Sequence, residues 1–253
     1  MSSAAVLITI PLSHYCEKAR WALDRARLPY REEAHAPLLN RLAGGTVPVL
    51  VHGRARFADS TAILVHVNTV CGGDLLYPRD AELRGEVDAL VERFDTELGP
   101  HTRRWAYSHL LPQAKLLSEV WARGVPAFQA LMVPAIAPLA RFLARKSYKV
   151  TPESAQRSLE RVRGVFREVD ERLADTRRFL VGERFTAADM TFAALAAPVL
   201  FPVDCRATHP ALEAVPVAMR EEVLRMRDTG AGRFALRLFA QERAKTCPSD
   251  RAA

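Results

Sequence analysis

The sequence of 253 residues is poor in cysteine, and its cysteines lie far apart. They are Cys16, Cys71, Cys205 and Cys247. No pair has the close spacing of a disulfide framework, a zinc-binding motif or a redox pair, so we expect free thiols and a cytoplasmic protein. The seven histidines also lack the spacing of metal ligands, and we predict no metal site.

Long apolar runs are scarce as well. The main candidate, residues 124–140, has no charge, but it is 17 residues long and contains three prolines. A membrane-spanning helix needs roughly 20 apolar residues, and internal prolines remove its backbone hydrogen bonds. We therefore predict no membrane association and a kinked, buried pair of helices here. No basic region followed by an apolar run opens the sequence, so no secretory signal is predicted.

Lysine is rare among the basic residues, since five of the 36 are lysine and the rest are arginine. The formal net charge is +7, but acidic residues are interleaved with the basic ones along the chain. No zinc-finger or RNA-binding motif accompanies them, and we predict no nucleic-acid partner. The charge favours a mild general attraction of small anions.

The first 77 residues alternate between strand and helix patterns. The apolar run Val6–Ile10 predicts a buried strand, and residues 14–27 follow it at helical spacing. A two-residue hairpin at His52–Gly53 joins the last two of the four predicted strands. A short helix is predicted between the second and third strands, and the pattern gives a small mixed sheet with helices packed on it. The remaining elements, three strands and a helix, are predicted at residues 29–33, 47–51, 54–57 and 60–71.

After Tyr77 no further strand pattern appears, and apolar residues recur at helical spacing. We therefore predict two domains, the first at residues 1–78 and an all-helical second domain at residues 85–246. One helix start in it is well marked: Thr186 is expected to be the N-cap and Asp189 its reciprocal partner in a capping box.

Three segments of the first domain carry candidate chemistry. Ser13–Cys16 follows the first strand and opens a helix, whose N-terminus favours an anion such as a thiolate. A cis Val47–Pro48 bond would direct the backbone of Val47 at a ligand. Asp59 and Ser60, at the next helix start, could bind an ammonium and a carboxylate. Together the three segments would recognise the end of an α-amino acid.

These residues resemble the motifs of the cytosolic glutathione transferases of the serine type. The matching patterns are S-x-x-C-x-K-x-R after the first strand, V-P-V-L, D-S at a helix start, and G-x-x-F-T-x-A-D in the second domain. The resemblance covers nearly the whole chain. It implies a fold of α/β plus all-α class, with a thioredoxin-like N-terminal domain followed by an all-helical C-terminal domain.

The resemblance also implies roles for single residues. Ser13 would activate the thiol of glutathione, the backbone of Val47 would pair with its cysteinyl amide beside the cis Pro48, and Asp59 and Ser60 would hold its γ-glutamyl group. Thr46 stands where the family often has a lysine that binds the glycine carboxylate. The basic side chains that could replace this lysine are Arg20, His35 and Arg41.

The residues themselves leave alternatives open around Ser13. Serine is favoured at any helix N-cap, so its role could be structural alone. Tyr15 offers a second hydroxyl, while Cys16 has the spacing of a buried small residue. We expect His14 to be an exposed first-turn side chain, and Lys18 and Arg20 to form a solvated face with one ion pair.

A second-substrate site is expected between the domains. Its candidate lining is aromatic and basic, which fits an apolar, partly anionic cosubstrate: Tyr15, Arg103, Arg104 and Tyr107. The alternative is that Trp105 belongs to the core and the two arginines to the surface.

By resemblance, the predicted function is a detoxifying transfer of glutathione, as cosubstrate, to a small apolar electrophile, or a peroxidase activity on the same scaffold. A homodimer is implied, with Phe57 and residues 86–98 as candidate interface. The alternative is a catalytically weak relative that acts as a ligand-binding or protein-interaction module.

Overall fold

The computed structural model describes residues 5–40 and 45–244. Its N-terminal part is a mixed sheet with the strand order β2-β1-β3-β4, in which β1 and β2 are parallel and the other pairs antiparallel. Helices pack against this sheet, and the predicted thioredoxin-like arrangement is confirmed. The elements are β1 (Ala5–Thr9), α1 (His14–Arg25), β2 (Tyr30–Ala34), β3 (Val49–His52), β4 (Ala55–Phe57) and α2 (Ser60–Val70).

Two details of the loops differ from the prediction or lie beyond it. His52 pairs with Ala55, so the hairpin loop consists of Gly53 and Arg54, one residue later than predicted. Gly53 has φ of +63°, a left-handed conformation that glycine adopts without steric cost. The short helix predicted between β2 and β3 falls partly on residues outside the described part of the chain.

The described residues after α2 form helices and the segments between them, as predicted, and no strand follows β4 among them. The helices are α3 (Ala81–Glu97), α4 (Gly99–Leu110), α5 (Ala114–Ala122), α6 (Ala127–Ser147), α7 (Pro152–Arg172), α8 (Ala187–Leu200), α9 (Val217–Arg227) and α10 (Gly230–Leu238). A 3₁₀ turn at Leu212–Ala214 precedes α9, and a π-helical turn at Phe239–Arg243 follows α10.

Helix α8 forms the centre of the molecule, because every one of its residues is buried. It contacts α1 of the sheet part as well as α3, α4, α9 and α10. The predicted capping box at its start is confirmed: the Thr186 N–H donates to Asp189 Oδ2 over 2.8 Å. The Leu180 N–H donates to the other carboxylate oxygen, also over 2.8 Å. Asp189 therefore fixes both the helix start and the loop before it.

The buried charges of α1 join the two parts of the chain. Lys18 Nζ lies 2.8 Å from the Asp95 carboxylate on α3 and 2.7 Å from Thr61 Oγ1. Arg20 pairs with Glu32 on β2 over 2.7 Å. Both basic side chains are buried, so the expected solvated face is wrong. Each bridges α1 to another element, because only a carboxylate there offsets the loss of hydration.

Residues 127–147 form one helix, α6, rather than the predicted buried pair of helices. Pro134 and Pro138 lie on its exposed side, where the carbonyl groups that lose a donor can bind water. By length and composition α6 could cross a membrane, although one such helix is weak evidence, and only 22% of its most apolar window is buried. Its exposed apolar side chains are Phe128, Leu131, Met132, Leu139 and Phe142.

We expect Asp189→Ala to lower the free energy of unfolding by about 3 kcal/mol. The change leaves the N–H groups of Thr186 and Leu180 buried without an acceptor, at about 1–3 kcal/mol each. Urea unfolding at neutral pH measures the loss. Thr151→Ala is the matched control, because Thr151 caps α7 in an exposed capping box and should cost only about 1 kcal/mol. Equal losses in the two variants would contradict the importance of burial.

Candidate functional site

The strand register brings the three candidate segments to one end of the sheet. Ile8, near the end of β1, pairs with Val49 at the start of β3. Phe57, at the end of β4, pairs with Leu50 on the other side of β3. The turn that opens α1, the Val47–Pro48 bond and the start of α2 therefore lie beside one another. These segments are separate in the sequence, and the antiparallel strand pairing brings them together.

Ser13 is the N-cap of α1 and lines the cleft at this end of the sheet. Its Oγ accepts a hydrogen bond from the Cys16 N–H over 3.3 Å. As an acceptor it keeps the hydroxyl hydrogen available for a ligand, since a hydroxyl both donates and accepts. The structural role of an N-cap and a role in binding a thiolate are thus compatible in one side chain.

The Val47–Pro48 peptide bond is cis, as predicted, and Val47 lines the same cleft as Ser13. Thr46, Gly45 and Asn40 also line it. This side of the cleft therefore offers backbone groups and small polar side chains from the segment before β3.

Asp59 and Ser60 complete this end of the sheet. Asp59 is exposed, caps α2 and accepts from the Ala62 N–H over 2.9 Å through Oδ1. Ser60 is buried, and its Oγ has no hydrogen-bond partner among the residues described. The exposed carboxylate could bind an ammonium, and the unpartnered hydroxyl at the helix N-terminus could bind a carboxylate. The pair therefore suits the end of an α-amino acid, which has both groups.

Two of the three proposed substitutes for a lysine at position 46, Arg20 and His35, do not line the cleft. Arg20 is buried in its pair with Glu32, and His35 Nδ1 lies 3.0 Å from the Gln129 amide nitrogen. Arg41 lies outside the described residues. The loss of the family lysine is therefore not compensated by Arg20 or His35.

The cleft has a volume of about 640 Å³ and continues from Ser13 towards the helical part. Helices α4, α5 and α6 and the segments after α6 and α8 supply its far wall. This wall is largely apolar and aromatic, as in sites for small organic molecules. Its main side chains are Tyr107, Leu110, Trp121, Leu143, Tyr148 and Phe201.

The predicted second-substrate residues separate into two groups. Tyr15, Arg103 and Tyr107 line the cleft. Arg104 points to the other side of α4, where it donates to the Tyr148 carbonyl over 2.8 Å and to Ser158 Oγ over 2.9 Å. Trp105 is a core residue, only 2% exposed.

Tyr15 and Cys16 have environments that disfavour the ionised forms of their side chains. The Tyr15 hydroxyl donates to the Asp95 carbonyl over 3.2 Å, and burial raises its pKa. Gly99 leaves room for this ring, since a side chain at position 99 would collide with the hydroxyl. Cys16 is fully buried, and this raises the pKa of its thiol. Ser13 lines the cleft without being fully buried, and a hydroxyl that accepts one hydrogen bond can still donate another.

Sequence models of known families match both parts of the chain. The glutathione S-transferase N-terminal domain matches residues 7–69, and the glutathione S-transferase C-terminal domain matches residues 152–215. Together they cover half of the chain. The chain belongs to the glutathione S-transferase family. Among curated proteins, none matches this sequence.

Solved structures of the family share the fold at low sequence identity. A beta-etherase from Sphingobium sp. is 16% identical, with a TM-score of 0.59 over 92% of this chain and 99% of that one. A possible glutathione S-transferase from Rhodopseudomonas palustris is 17% identical, with a TM-score of 0.57 over 94% of each chain. A theta class enzyme from Xanthomonas axonopodis, with glutathione bound, is 16% identical, with a TM-score of 0.53 over 94% and 98% of the chains.

Two histidines also line the transferase cleft, and the sequence pattern did not indicate either of them as buried. His14, expected to be exposed, is 3% exposed, and its Nε2 donates to the Gly99 carbonyl over 3.0 Å. Burial first, and the charge of Arg103 second, lower its pKa to about 3. Burial lowers the pKa of His209, in the segment after α8, to about 4. Both rings are therefore neutral at neutral pH.

We expect His14 to make the fold sensitive to acid. The pKa of His14 in the folded state lies below its unfolded value of 6.5, so between pH 6.5 and about 3 the folded state binds fewer protons than the unfolded state. The contribution of His14 to the free energy of unfolding is complete above pH 6.5. It decreases as the pH falls below this value, by about 1–2 kcal/mol at pH 5. In His14→Gln the amide can still donate to Gly99, but nothing titrates. Urea unfolding should show a smaller loss from pH 7 to pH 5 in this variant; equal losses would contradict the assignment.

Proposed function

We propose that this protein is a glutathione transferase that joins the glutathione thiolate to a small apolar electrophile, with Ser13 as the residue that binds the sulfur. One observation carries the proposal: the Ser13 Oγ is satisfied as an acceptor by the Cys16 N–H, so its proton can be donated into the cleft. The N-terminus of α1, at the same place, also favours a negative charge.

The expected chemistry needs little beyond these two features. A thiol of this kind has a pKa near ~8.5, so only a few per cent is ionised at neutral pH. A charge-assisted hydrogen bond stabilises the thiolate by roughly 1.5–3 kcal/mol, which lowers that pKa by about one to two units. The thiol proton leaves to solvent, the sulfur forms a bond to the electrophilic carbon, and the leaving group departs with its electron pair.

Glutathione would lie along the end of the sheet as a cosubstrate. The backbone of Val47, which lines the cleft, would pair with its cysteinyl amide beside the cis Pro48, and Asp59 with the buried Ser60 would hold the γ-glutamyl group. The theta class neighbour from Xanthomonas has glutathione bound, which supports the same ligand here.

The remaining features of the proposal follow from the family. Residues 1–78 would be the glutathione-binding domain and residues 85–246 the helical domain, in a cytoplasmic homodimer. Phe57 is half-buried and stacks on His66 with 4.1 Å between ring centroids, and with residues 86–98 it is the candidate interface. A peroxidase activity would use the same thiolate.

A second candidate function is a ligand-binding or protein-interaction module with weak catalysis. It is favoured by Thr46, because neither Arg20 nor His35 takes the place of the family lysine. Weaker binding of the glycine carboxylate would lower the affinity for glutathione, and the cleft could then serve other ligands.

The first test is the ultraviolet difference spectrum of the protein with glutathione between about pH 5 and 9. We expect a thiolate band that titrates about one to two units below the free thiol in the wild type and is lost in Ser13→Ala. Ser108→Ala is the matched control, since the Ser108 hydroxyl donates to the Trp105 carbonyl and lies outside the cleft.

Tyr15→Phe separates the two hydroxyls at the start of α1. A band that disappears in Tyr15→Phe and persists in Ser13→Ala would contradict the role of Ser13. The absence of any thiolate signal at millimolar glutathione would reject the transferase and favour the ligand-binding module.

A further inference from the structure

The charge in the cleft is unbalanced. Among the described residues that line it there is no aspartate, glutamate or lysine, and Arg103 carries the sole formal charge. The two histidines of the lining are neutral at neutral pH because burial lowers their pKa values. A single positive charge surrounded by apolar and aromatic groups attracts an anion more strongly than it would in water.

Arg103 lies close to two aromatic rings. Its guanidinium carbon lies 4.2 Å from the centroid of Tyr148 and 5.7 Å from that of Tyr15. Tyr107 stacks on Tyr148, with 5.3 Å between centroids. Cation–π contacts of this kind hold the guanidinium in place and leave its edge, with the N–H donors, for a ligand.

Among the described residues, none accepts a hydrogen bond from Arg103 Nε. This nitrogen is buried, and no ion pair to Arg103 forms among the residues described. The neighbouring Arg104, by contrast, donates to the Tyr148 carbonyl and to Ser158. A buried donor without an acceptor costs free energy, so a cationic side chain left in this state indicates a missing anionic partner.

We propose that the second substrate is an aromatic electrophile with a carboxylate, which Arg103 binds through the N–H groups of its guanidinium. The inference rests on the proposed function and names the substrate class of the same cleft. The aromatic wall suits the ring, Arg103 binds the carboxylate, and the thiolate at Ser13 attacks the ring carbon. When the electrophile is an aryl halide, a bond forms between the glutathione sulfur and the ring carbon. The bond between this carbon and the halogen breaks, and the halide departs with the electron pair.

Binding without glutathione tests the site independently of catalysis. Calorimetry compares naphthalene-2-carboxylate with the matched amide, which has the same rings but no charge. We expect the carboxylate to bind the wild type at least roughly tenfold more tightly than the amide, the lower range for a charge-assisted hydrogen bond. Arg103→Met keeps the aliphatic contact with the rings and should abolish this preference, while Arg103→Lys should keep part of it.

Arg157→Met is the matched control, because it removes one positive charge from the exposed surface of α7, outside the cleft. It should keep the preference for the carboxylate, and circular dichroism should show all variants folded. Equal binding of carboxylate and amide to the wild type, an unchanged preference in Arg103→Met, or no binding of either probe would each overturn the inference.

Kinetics then link the site to the reaction. With 4-chloro-3-nitrobenzoate and its amide as electrophiles, Arg103→Met should lower kcat/KM for the carboxylate roughly tenfold relative to the amide. A carboxylate of glutathione is the other possible source of the anion. In that case Arg103→Met would weaken glutathione binding and spare the naphthoate preference, which overturns the inference. Absence of glutathione binding in the wild type would reject the transferase, while the naphthoate comparison would still decide the role of Arg103.

Discussion

The structure depends on charged groups that are buried along α1 and paired across the two parts of the chain. Glu17, Lys18 and Arg20 are all removed from solvent, although they belong to a helix that follows the first strand. Lys18 pairs with Asp95 of α3, and Glu17 with Arg243 beyond α10, over 2.8 Å in each case. Leaving one partner of a buried pair alone costs about 3–5 kcal/mol. The sheet and the helical part therefore cannot separate without exposing or orphaning these charges.

This constraint also determines the shape of the candidate site. The cleft has one wall from the sheet end and another from α4 and α6, so its dimensions depend on how the two parts dock. Tyr15 lies at the junction, because its hydroxyl donates to the backbone carbonyl of Asp95 on α3, and the carboxylate of the same Asp95 pairs with Lys18 of α1. The ion pair and the tyrosine thus hold α1 and α3 in one orientation. Ser13, the N-cap of α1, is positioned by the same contacts.

Much of the fold and part of the site could be predicted from the sequence, because their signals are local. An apolar run before Ser13, a proline after Val47, and Thr186 followed by Asp189 each indicate a local conformation, and the structure has all three. Which residue pairs with Glu17 has no local signal, since Arg243 lies 226 residues away.

The sequence pattern also could not predict which side of its helix a given side chain faces. Arg103 and Arg104 are adjacent on α4 and point to different sides, and only the packing of α4 decides which of them faces the cleft. For α6, the prolines suggested a break, but their exposed side allows the carbonyl groups to bind water instead. Tyr148 and His209 reach the cleft from segments whose sequence has no distinctive pattern.

Arg103 differs from the buried cations elsewhere in the molecule, which are paired with carboxylates. Lys18, Arg20 and Arg243 are buried cations, and each has a carboxylate within 3 Å. The chain thus compensates the cations that stabilise its fold, as the cost of desolvation requires. Arg103 lies close to two aromatic rings, and its buried Nε has no acceptor among the described residues, in a cleft whose described lining has no carboxylate. A cation that is paired only when a ligand is bound does not stabilise the folded protein by itself. It becomes favourable when an anion enters the cleft, which is the property expected of a residue that selects a substrate.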